Sequence, residues 1–460
     1  MRIDASLTPR SLASRLARMW DLSAAKIRDT ARTYDAAKGS PVFTAGGRWT
    51  SRGWTEWTQG FQYGSSILQF DATAEREFLE QGRTATVERM APHVSHVGVH
   101  DHGFNNVSTY GNLLRLAGEE RIDAGLWERR FYELALKVSG AVQAHRWTST
   151  ADGGGFIHSF NGPHSLFADT IRSLRSLAVA HRLGHVLMEE NDARVSLLAR
   201  LVAHARSTAR YSVYYGTGRD TWDVRGRVAH ESIFNVVDGR YRCPNSQQGY
   251  SPFSTWTRGL SWVITGFAEQ LEFLDTVSDA ELEPLGGRAD VEGFMGEAAR
   301  ASADFWIGNT ASDGIPYWDT GAPGLDRLGD WRSKSADPFN EHEPVDSSAA
   351  AIACQGLMRL GRRLSARGET DAGGRYRAAG LTVLATLLAE PYLSAAPDHQ
   401  GLLLHSVYHR PNGWDVVPPG RKVPCGESSM WGDYHLREAA LTASRLDRGP
   451  WITFFAKESP

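Results

Sequence analysis

The sequence has few cysteines and almost no net charge, and both shortages exclude whole classes of function. Its 460 residues include three cysteines, Cys243, Cys354 and Cys425, with no Cys-x-x-Cys pair. This excludes a disulfide framework and favours a reducing compartment. Lys and Arg total 50 against 53 Asp and Glu, a net charge of −3. Such a balance lacks the basic surface of a nucleic-acid-binding protein and any polybasic membrane segment, so we expect neither partner.

Long apolar runs and common catalytic motifs are missing too. No stretch of 18 apolar residues occurs, and the first twenty residues lack the apolar centre of a secretory signal, so we expect a cytoplasmic protein. The segment ADGGGF (151–156) lacks the Lys-Ser/Thr of a phosphate-binding loop, and no Gly-x-Ser-x-Gly elbow is present.

Aromatic residues, in contrast, are abundant, with 15 tryptophans and 14 tyrosines. One interpretation is a large aromatic core. The other is a carbohydrate-binding cleft, because the C–H faces of sugars stack on aromatic rings. Composition alone does not decide between them.

Helical periodicity dominates the chain. Segments 127–147, 196–215, 256–274 and 375–393 place apolar residues three or four positions apart. Strand-like alternation is rare, and segment 227–243, with a turn at Asp238-Gly239, is the best hairpin candidate.

Six helices share one pattern: a polar or aromatic cluster followed by small and apolar residues. They start at Glu56, Asp101, Ala168, Ser254, Val345 and Ser428. Small residues allow close helix packing in an inner ring, and the more evenly amphipathic helices between them suit an outer ring. The pattern predicts an all-α fold, an (α/α)6 barrel of six helical hairpins with a few short strands in the mouth loops. Since such a core closes on itself, residues 1–460 are expected to form a single domain.

Two aspartates at predicted helix starts are candidates for chemistry. Asp101 lies in His100-Asp101-His102, before a glycine, and Asp169 follows an apolar pair. Either could cap its helix. The histidines could also bind a metal, but no His-Glu-x-x-His or comparable ligand set accompanies them. Two carboxylates at one barrel mouth suit acid–base work on sugars, because close carboxylates raise the pKa of one of them.

The segment QQGYSPFSTWTRGLSW (247–262) sets Trp256, Arg258 and Trp262 at the start of a predicted helix. Arg258 and Trp262 are four positions apart and share a face. They could form a packed cation–π cluster, or they could hold a flat, negatively charged ligand.

Six ordered motifs give the chain a resemblance. They are a Trp-x-x-Gly-Phe, a His-Asp-x-Gly-Phe, an Asp-Thr, a Gln-Gly-Tyr with Ser-Thr-Trp-x-Arg-Gly-x-x-Trp, an Asp-Ser-Ser-Ala and a Trp-Gly-Asp-Tyr. They lie at Trp57–Phe61, His100–Phe104, Asp169–Thr170, Gln248–Trp262, Asp346–Ala349 and Trp431–Ala439. Each motif alone is weak, but with this order and span the chain resembles glycoside hydrolase family 88, the unsaturated glucuronyl hydrolases.

The resemblance implies an (α/α)6 barrel that removes a 4,5-unsaturated uronic acid from the non-reducing end of lyase-generated oligosaccharides, without metal or cofactor. It implies Asp169 as general acid/base and Asp101 as the assisting carboxylate. The implied substrate contacts are Trp57, His100, Phe104, His230, Gln248, Trp256, Arg258 and Trp262. We expect Phe160, which stands at the place of a family tryptophan, to contact the substrate as well. We expect a monomer or small homo-oligomer. An unsaturated rhamnogalacturonyl hydrolase, an ordinary uronidase and an inactive sugar-binding barrel remain alternatives.

The chain departs from the family in places that bear on substrate preference. The family continues after the catalytic aspartate through Met and Asn, whereas this chain has Arg172-Ser173, and Phe160 replaces a family tryptophan. Arg421 and Lys422 precede Ser428 at the sixth inner helix, where backbone N–H groups favour anions. These three could bind a sulfate on the second sugar, or the segment could be a solvated basic loop.

Overall fold

The computed structural model describes residues 1–53, 56–447 and 449–456, and within them the long helices form two concentric rings. The outer helices are α1 (Ala13–Thr33), α3 (Arg76–Arg89), α7 (Leu126–His145), α10 (Leu197–Ser207), α13 (Gly287–Gly308) and α15 (Thr370–Leu387). The inner helices are α2 (Gln59–Thr73), α5 and α6 (His102–Asn106 and Asn112–Gly118), α8 and α9 (Thr170–Ser173 and Arg175–Arg182), α11 (Thr257–Leu274), α14 (Ser347–Ala366) and α16 (Met430–Ser444). Two short helices, α4 (Ala91–Val94) and α12 (Asp279–Leu282), lie in connections.

The inner ring is closed because its last helix, α16, packs against both α14 and the first inner helix, α2. Small residues permit this packing. A Cβ on Gly60 would lie 2.4 Å from the Cα of Asn105, and one on Gly356 would lie 2.8 Å from the Cα of Thr265. The prediction of an (α/α)6 barrel of six hairpins is confirmed, with all six inner helices at the predicted places.

In the described residues, nine short strands form four small antiparallel sheets. They are β1 (Phe43–Ala45) with β2 (Arg48–Thr50), β3 (Trp147–Ser149) with β4 (Gly155–Ile157), β6 (Leu187–Met188) with β7 (Arg194–Val195), and β5 (Ser165–Phe167), β8 (Glu231–Phe234) and β9 (Tyr241–Asn245) in the order β5-β8-β9. The predicted hairpin is confirmed as β8–β9, where Glu231 pairs with Asn245 and Gly239 has φ +68°. Sheet β6–β7 lies in the connection from α9 to α10, which leaves the end of the barrel opposite the mouth.

Within the part of the chain that the structure describes, two helical segments contain wide π turns. One, Val107–Gly111, joins α5 to α6 within the second inner helix. The other, Thr208–Ser212, follows α10, so this helix ends at Ser207 although the apolar spacing continues to residue 215. A π turn shifts the register of the side chains after it, and such turns are frequent at functional sites.

A charged cluster occupies the centre of the barrel. Arg172, near the start of the third inner helix, lies 3.0 Å from Glu269 on α11 and 3.0 Å from Glu438 on α16. Arg359 on α14 lies 2.7 Å from Glu272 on α11. All five side chains are buried, so the cluster joins four inner helices through paired charges. No helix in the described part of the chain is long and apolar enough to cross a membrane.

Candidate active site

A cavity opens at the end of the barrel where the inner helices begin. The residues that line it are Trp57, His96, Val99, His100, Asp101, Phe104, Phe160, Asp169, Gln247, Gln248, Trp256, Arg258, Trp262, Tyr408, His409 and Trp414. Every site residue predicted from the sequence is among them except His230, Ser428 and the two candidate sulfate-binding residues Arg421 and Lys422.

Asp101 and Asp169 meet at one histidine. The Nε2 atom of His100 lies 3.5 Å from Oδ1 of Asp169 and 3.8 Å from Oδ1 of Asp101. Both aspartates occupy the N-cap position of a helix, yet neither side chain makes a capping hydrogen bond. Asp346, in contrast, accepts hydrogen bonds from the backbone of Ser348 and Ala349 at the start of α14. The capping interpretation therefore fails for the two aspartates, whose carboxylates lie on the cavity wall.

The surroundings shift the pKa values of His100, Asp101 and Asp169 in different directions. Burial opposes charge on His100, but Asp101 and Asp169 outweigh it and raise the pKa of the imidazole. Burial raises the pKa of Asp101, and repulsion from Asp169 adds to this. Burial also acts to raise the pKa of Asp169, but contact with His100, together with the nearby His230 and Arg258, lowers it overall. The carboxyl with the raised pKa is thus Asp101.

Arg258 is part of the cavity wall, and its guanidinium group interacts with several neighbouring residues. Its guanidinium group lies 4.7 Å from the ring of Trp256 and 4.8 Å from that of Trp431. It pairs with Asp346 at 3.2 Å and donates to Oε1 of Gln248 at 3.0 Å. It also donates to two backbone carbonyls of the segment before α16. Both interpretations of this cluster therefore apply in part, since the group is packed between indoles and still lines the cavity.

Aromatic rings form the rest of the wall. Trp57 stacks on Trp431 with ring centroids 5.0 Å apart, and Phe104 lies 4.8 Å from Trp262. Phe160 stacks on His100 with centroids 5.9 Å apart and planes inclined by 25°. These contacts fix the rings, so the cavity presents rigid apolar faces beside the two carboxylates.

His230 and Ser428 lie behind the cavity surface. Nδ1 of His230 accepts hydrogen bonds from the backbone N–H groups of Gln247 and Gln248 at 3.0 and 3.3 Å, so it positions the segment that forms the wall. The hydroxyl of Ser428 donates to the carbonyl of Leu403, and it lies 2.7 Å from Asp433.

Arg421 and Lys422 are exposed and have local partners. Arg421 donates to the carbonyl of Phe339 at 3.0 Å, and Lys422 pairs with Glu341 at 2.6 Å. The described cavity lining contains neither residue. Their role in sulfate binding stays a prediction.

Six lining residues were not predicted from the sequence: His96, Val99, Gln247, Tyr408, His409 and Trp414. Gln247 adjoins a predicted residue, and the tandem Gln247-Gln248 was a usable signal. Tyr408, His409 and Trp414 lie on an irregular segment whose shape depends on Asp415, which accepts hydrogen bonds from the backbone of Tyr408 and His409. Such a segment has no periodic pattern that would reveal it.

Comparison with known proteins gives consistent relatives. No protein family model matches the chain. The unsaturated glucuronyl hydrolase of Bacillus sp. strain GL1 is 24% identical over 404 residues, which cover 86% of this chain and 88% of that protein. The unsaturated chondroitin disaccharide hydrolase of Streptococcus pneumoniae is 23% identical over 398 residues, covering 84% and 81%. The crystal structure of an unsaturated glucuronyl hydrolase specific for heparin superposes with a TM-score of 0.69 at 18% identity, covering 94% and 97%. This likeness shows a shared fold.

Proposed function

The chain is a homologue of the unsaturated glucuronyl hydrolases of glycoside hydrolase family 88, and from this premise we propose that it releases a 4,5-unsaturated uronic acid from the non-reducing end of an oligosaccharide. The proposal rests on one observation: the carboxylates of Asp101 and Asp169 lie 3.8 and 3.5 Å from Nε2 of His100, inside a cavity with aromatic walls. Polysaccharide lyases produce the unsaturated sugar, whose C4=C5 bond is conjugated to the carboxylate and is a vinyl ether through the ring oxygen.

Asp169 acts as general acid and then as general base. It delivers a proton to C4, which leaves positive charge shared between C5 and the ring oxygen. A water molecule then attacks C5 and gives its proton back to the Asp169 carboxylate. The resulting hemiketal opens, and the aglycone leaves with the glycosidic oxygen. Proton transfer of this kind contributes about 10²–10⁴-fold to the rate.

Substrate binding favours the protonation of Asp169 that this mechanism needs. In the free site the pKa of Asp169 is lowered, so its carboxyl favours the charged form. A bound uronate places a second negative charge nearby and displaces water, and both changes raise the pKa of a carboxyl. Asp169 is therefore expected to take up a proton with the substrate, while Asp101 and His100 hold the remaining charge.

Turnover of a lyase-generated unsaturated disaccharide tests the proposal. The conjugated double bond absorbs ultraviolet light, so hydration at C5 removes the absorbance as the reaction proceeds. A rhamnogalacturonyl hydrolase would act only on the product of a rhamnogalacturonan lyase. An ordinary uronidase would release the sugar with its double bond and absorbance intact, and an inactive barrel would bind without turnover. Either of the last two results would overturn the proposal, whereas activity confined to the rhamnogalacturonan-lyase product would narrow the substrate class.

Replacing Arg258 by alanine is expected to raise KM by about 10- to 100-fold, the effect of losing one charged contact of about 1.5–3 kcal/mol. The substrate carboxylate would meet the edge of the guanidinium group that now contacts Gln248. Stability should fall as well, because Asp346 would lose its buried partner.

Arg258→Lys, which keeps the charge, is the matched control and should recover much of the stability. Steady-state kinetics and thermal denaturation separate the two effects. An unchanged KM in a folded Arg258→Ala variant would mean that the substrate carboxylate binds elsewhere.

Further expectations belong to the same proposal. They are one catalytic domain, a cytoplasmic location, a monomer or small homo-oligomer, and activity without a metal or cofactor.

Phe160, which replaces a family tryptophan, stacks on His100 close to the two carboxylates. The phenyl ring of Phe160 is smaller than an indole and leaves more room for the second sugar. We therefore propose that Phe160 influences which second sugar the enzyme prefers.

A further inference from the structure

Outside the cavity, exposed aromatic side chains collect on two mouth loops. Trp222 is 55% exposed, Tyr250 51% and Phe253 45%, and Val224 beside them is 55% exposed. The rings of Trp222 and Phe253 lie 6.0 Å apart with planes inclined by 33°. Large apolar side chains that remain in water in a cluster mark a binding surface more often than single exposed residues do. We call these four residues the rim platform.

Two residues of the rim platform, Tyr250 and Phe253, lie on the loop between the wall residues Gln248 and Trp256. Tyr250 follows the wall residue Gln248 by two positions and Phe253 follows it by five, so their Cα atoms lie within about 7 and 18 Å of it. The backbone N–H of Tyr250 donates to Asp319, whose backbone forms a β-bridge with the wall residue Trp256. A chain leaving the cavity on this side reaches the platform within a few sugar units.

The two loops are held in place from below. Arg227 is buried, donates to the carbonyl of Pro252 at 3.1 Å and pairs with Asp220 at 3.4 Å, so it ties one loop to the other. Asp223 accepts hydrogen bonds from three backbone N–H groups of its own loop. The exposed rings are therefore presented by ordered backbone, which lowers the entropy cost of binding.

We propose that the rim platform binds sugar units on the reducing side of the disaccharide, so that the enzyme favours longer unsaturated oligosaccharides. This inference rests on the proposed function. The unsaturated unit is the non-reducing end and lies beside Asp169, so every further unit must extend towards the mouth. Exposed indole and phenyl rings bind the C–H faces of sugars and need no particular hydroxyl pattern.

Matched substrates and variants test the platform. Unsaturated di-, tetra- and hexasaccharides from one lyase and one polymer are compared by loss of ultraviolet absorbance, for wild type and for Trp222→Ala/Phe253→Ala. The wild-type ratio of kcat/KM on hexasaccharide to that on disaccharide is expected to be about tenfold, because the longer chain gains stacking contacts that the disaccharide cannot reach. In the double variant this ratio should fall towards one.

Trp127→Ala is the control. Trp127 is 80% exposed on the outer helix α7, far along the chain from the mouth loops, and its loss should change neither rate. Far-ultraviolet circular dichroism checks that each variant is folded. Turnover of disaccharide without any dependence on length, or an unchanged ratio in the double variant, would overturn the platform alone. Failure to turn over any unsaturated substrate would overturn the proposed function and the platform with it.

Discussion

Asp169→Asn is expected to lower kcat on an unsaturated disaccharide by about 10²–10⁴-fold, because an amide cannot give a proton to C4 or take one from water. The fold should survive, since the carboxylate of Asp169 makes no capping hydrogen bond to lose. Asp101→Asn should be severe but less complete, because Asp101 reaches the reaction through His100. Absorbance assays at high enzyme concentration measure both losses. Activity of Asp169→Asn within tenfold of wild type would remove Asp169 from the mechanism.

Isotopes follow the same step in the wild-type enzyme. In heavy water, deuterium must appear at C4 of the released keto sugar acid, because the proton that reaches C4 comes from solvent through Asp169. An ordinary glycosidase adds solvent oxygen at the anomeric carbon and leaves C4 untouched. Because C4 adjoins the new ketone, product incubated in heavy water without enzyme is the necessary control. Rapidly quenched product is analysed by mass spectrometry. If it lacks deuterium at C4, hydration of the double bond is contradicted.

The second large effect is on stability. Arg172→Met is expected to lower the free energy of unfolding by about 3–5 kcal/mol, because it leaves Glu269 and Glu438 buried without their nearest positive charge. Methionine fills similar space, so the loss reports the charge more than the volume. Urea denaturation followed by circular dichroism provides the measurement.

Arg18→Met is the matched control, since Arg18 pairs with Glu390 at the surface and exposed pairs contribute little. Adding Glu438→Gln to Arg172→Met should recover part of the loss, because it removes one of the uncompensated charges. A change in stability no larger than that of Arg18→Met would mean that water or the neighbouring arginines already neutralise the cluster.

The barrel was predictable because its inner helices differ in composition from its outer ones. A helix buried on all sides needs small and apolar residues throughout, and its first turn at the mouth carries the polar and aromatic groups. Both signals are local in sequence, so the starts at Asp101, Ala168 and Ser254 were found within a few residues. The end of α10 at Ser207 was missed, because the apolar spacing continues while the backbone widens into a π turn.

The site was predictable where its residues lie in helix-starting motifs. Asp101, Asp169 and Arg258 belong to such motifs, and all three line the cavity. Trp414 does not, because its segment takes its shape from hydrogen bonds to one carboxylate rather than from a repeating pattern. The partners of Arg172 were equally hidden, since Glu269 and Glu438 are distant in sequence and meet it only when the ring has formed.

Closure of the inner ring by α16 has a consequence for synthesis. The helix begins at Met430, yet it packs against α2, which begins at Gln59, far earlier in the chain. Until the ribosome has released this segment, the apolar sides of α2 and α14 that later contact α16 remain exposed to water. Contacts between such distant parts of a chain form slowly, and exposed apolar surface promotes aggregation in the meantime. A nascent chain that stalls before Met430 already contains both Asp101 and Asp169. It should nevertheless be inactive and bind chaperones, because its inner ring is still open.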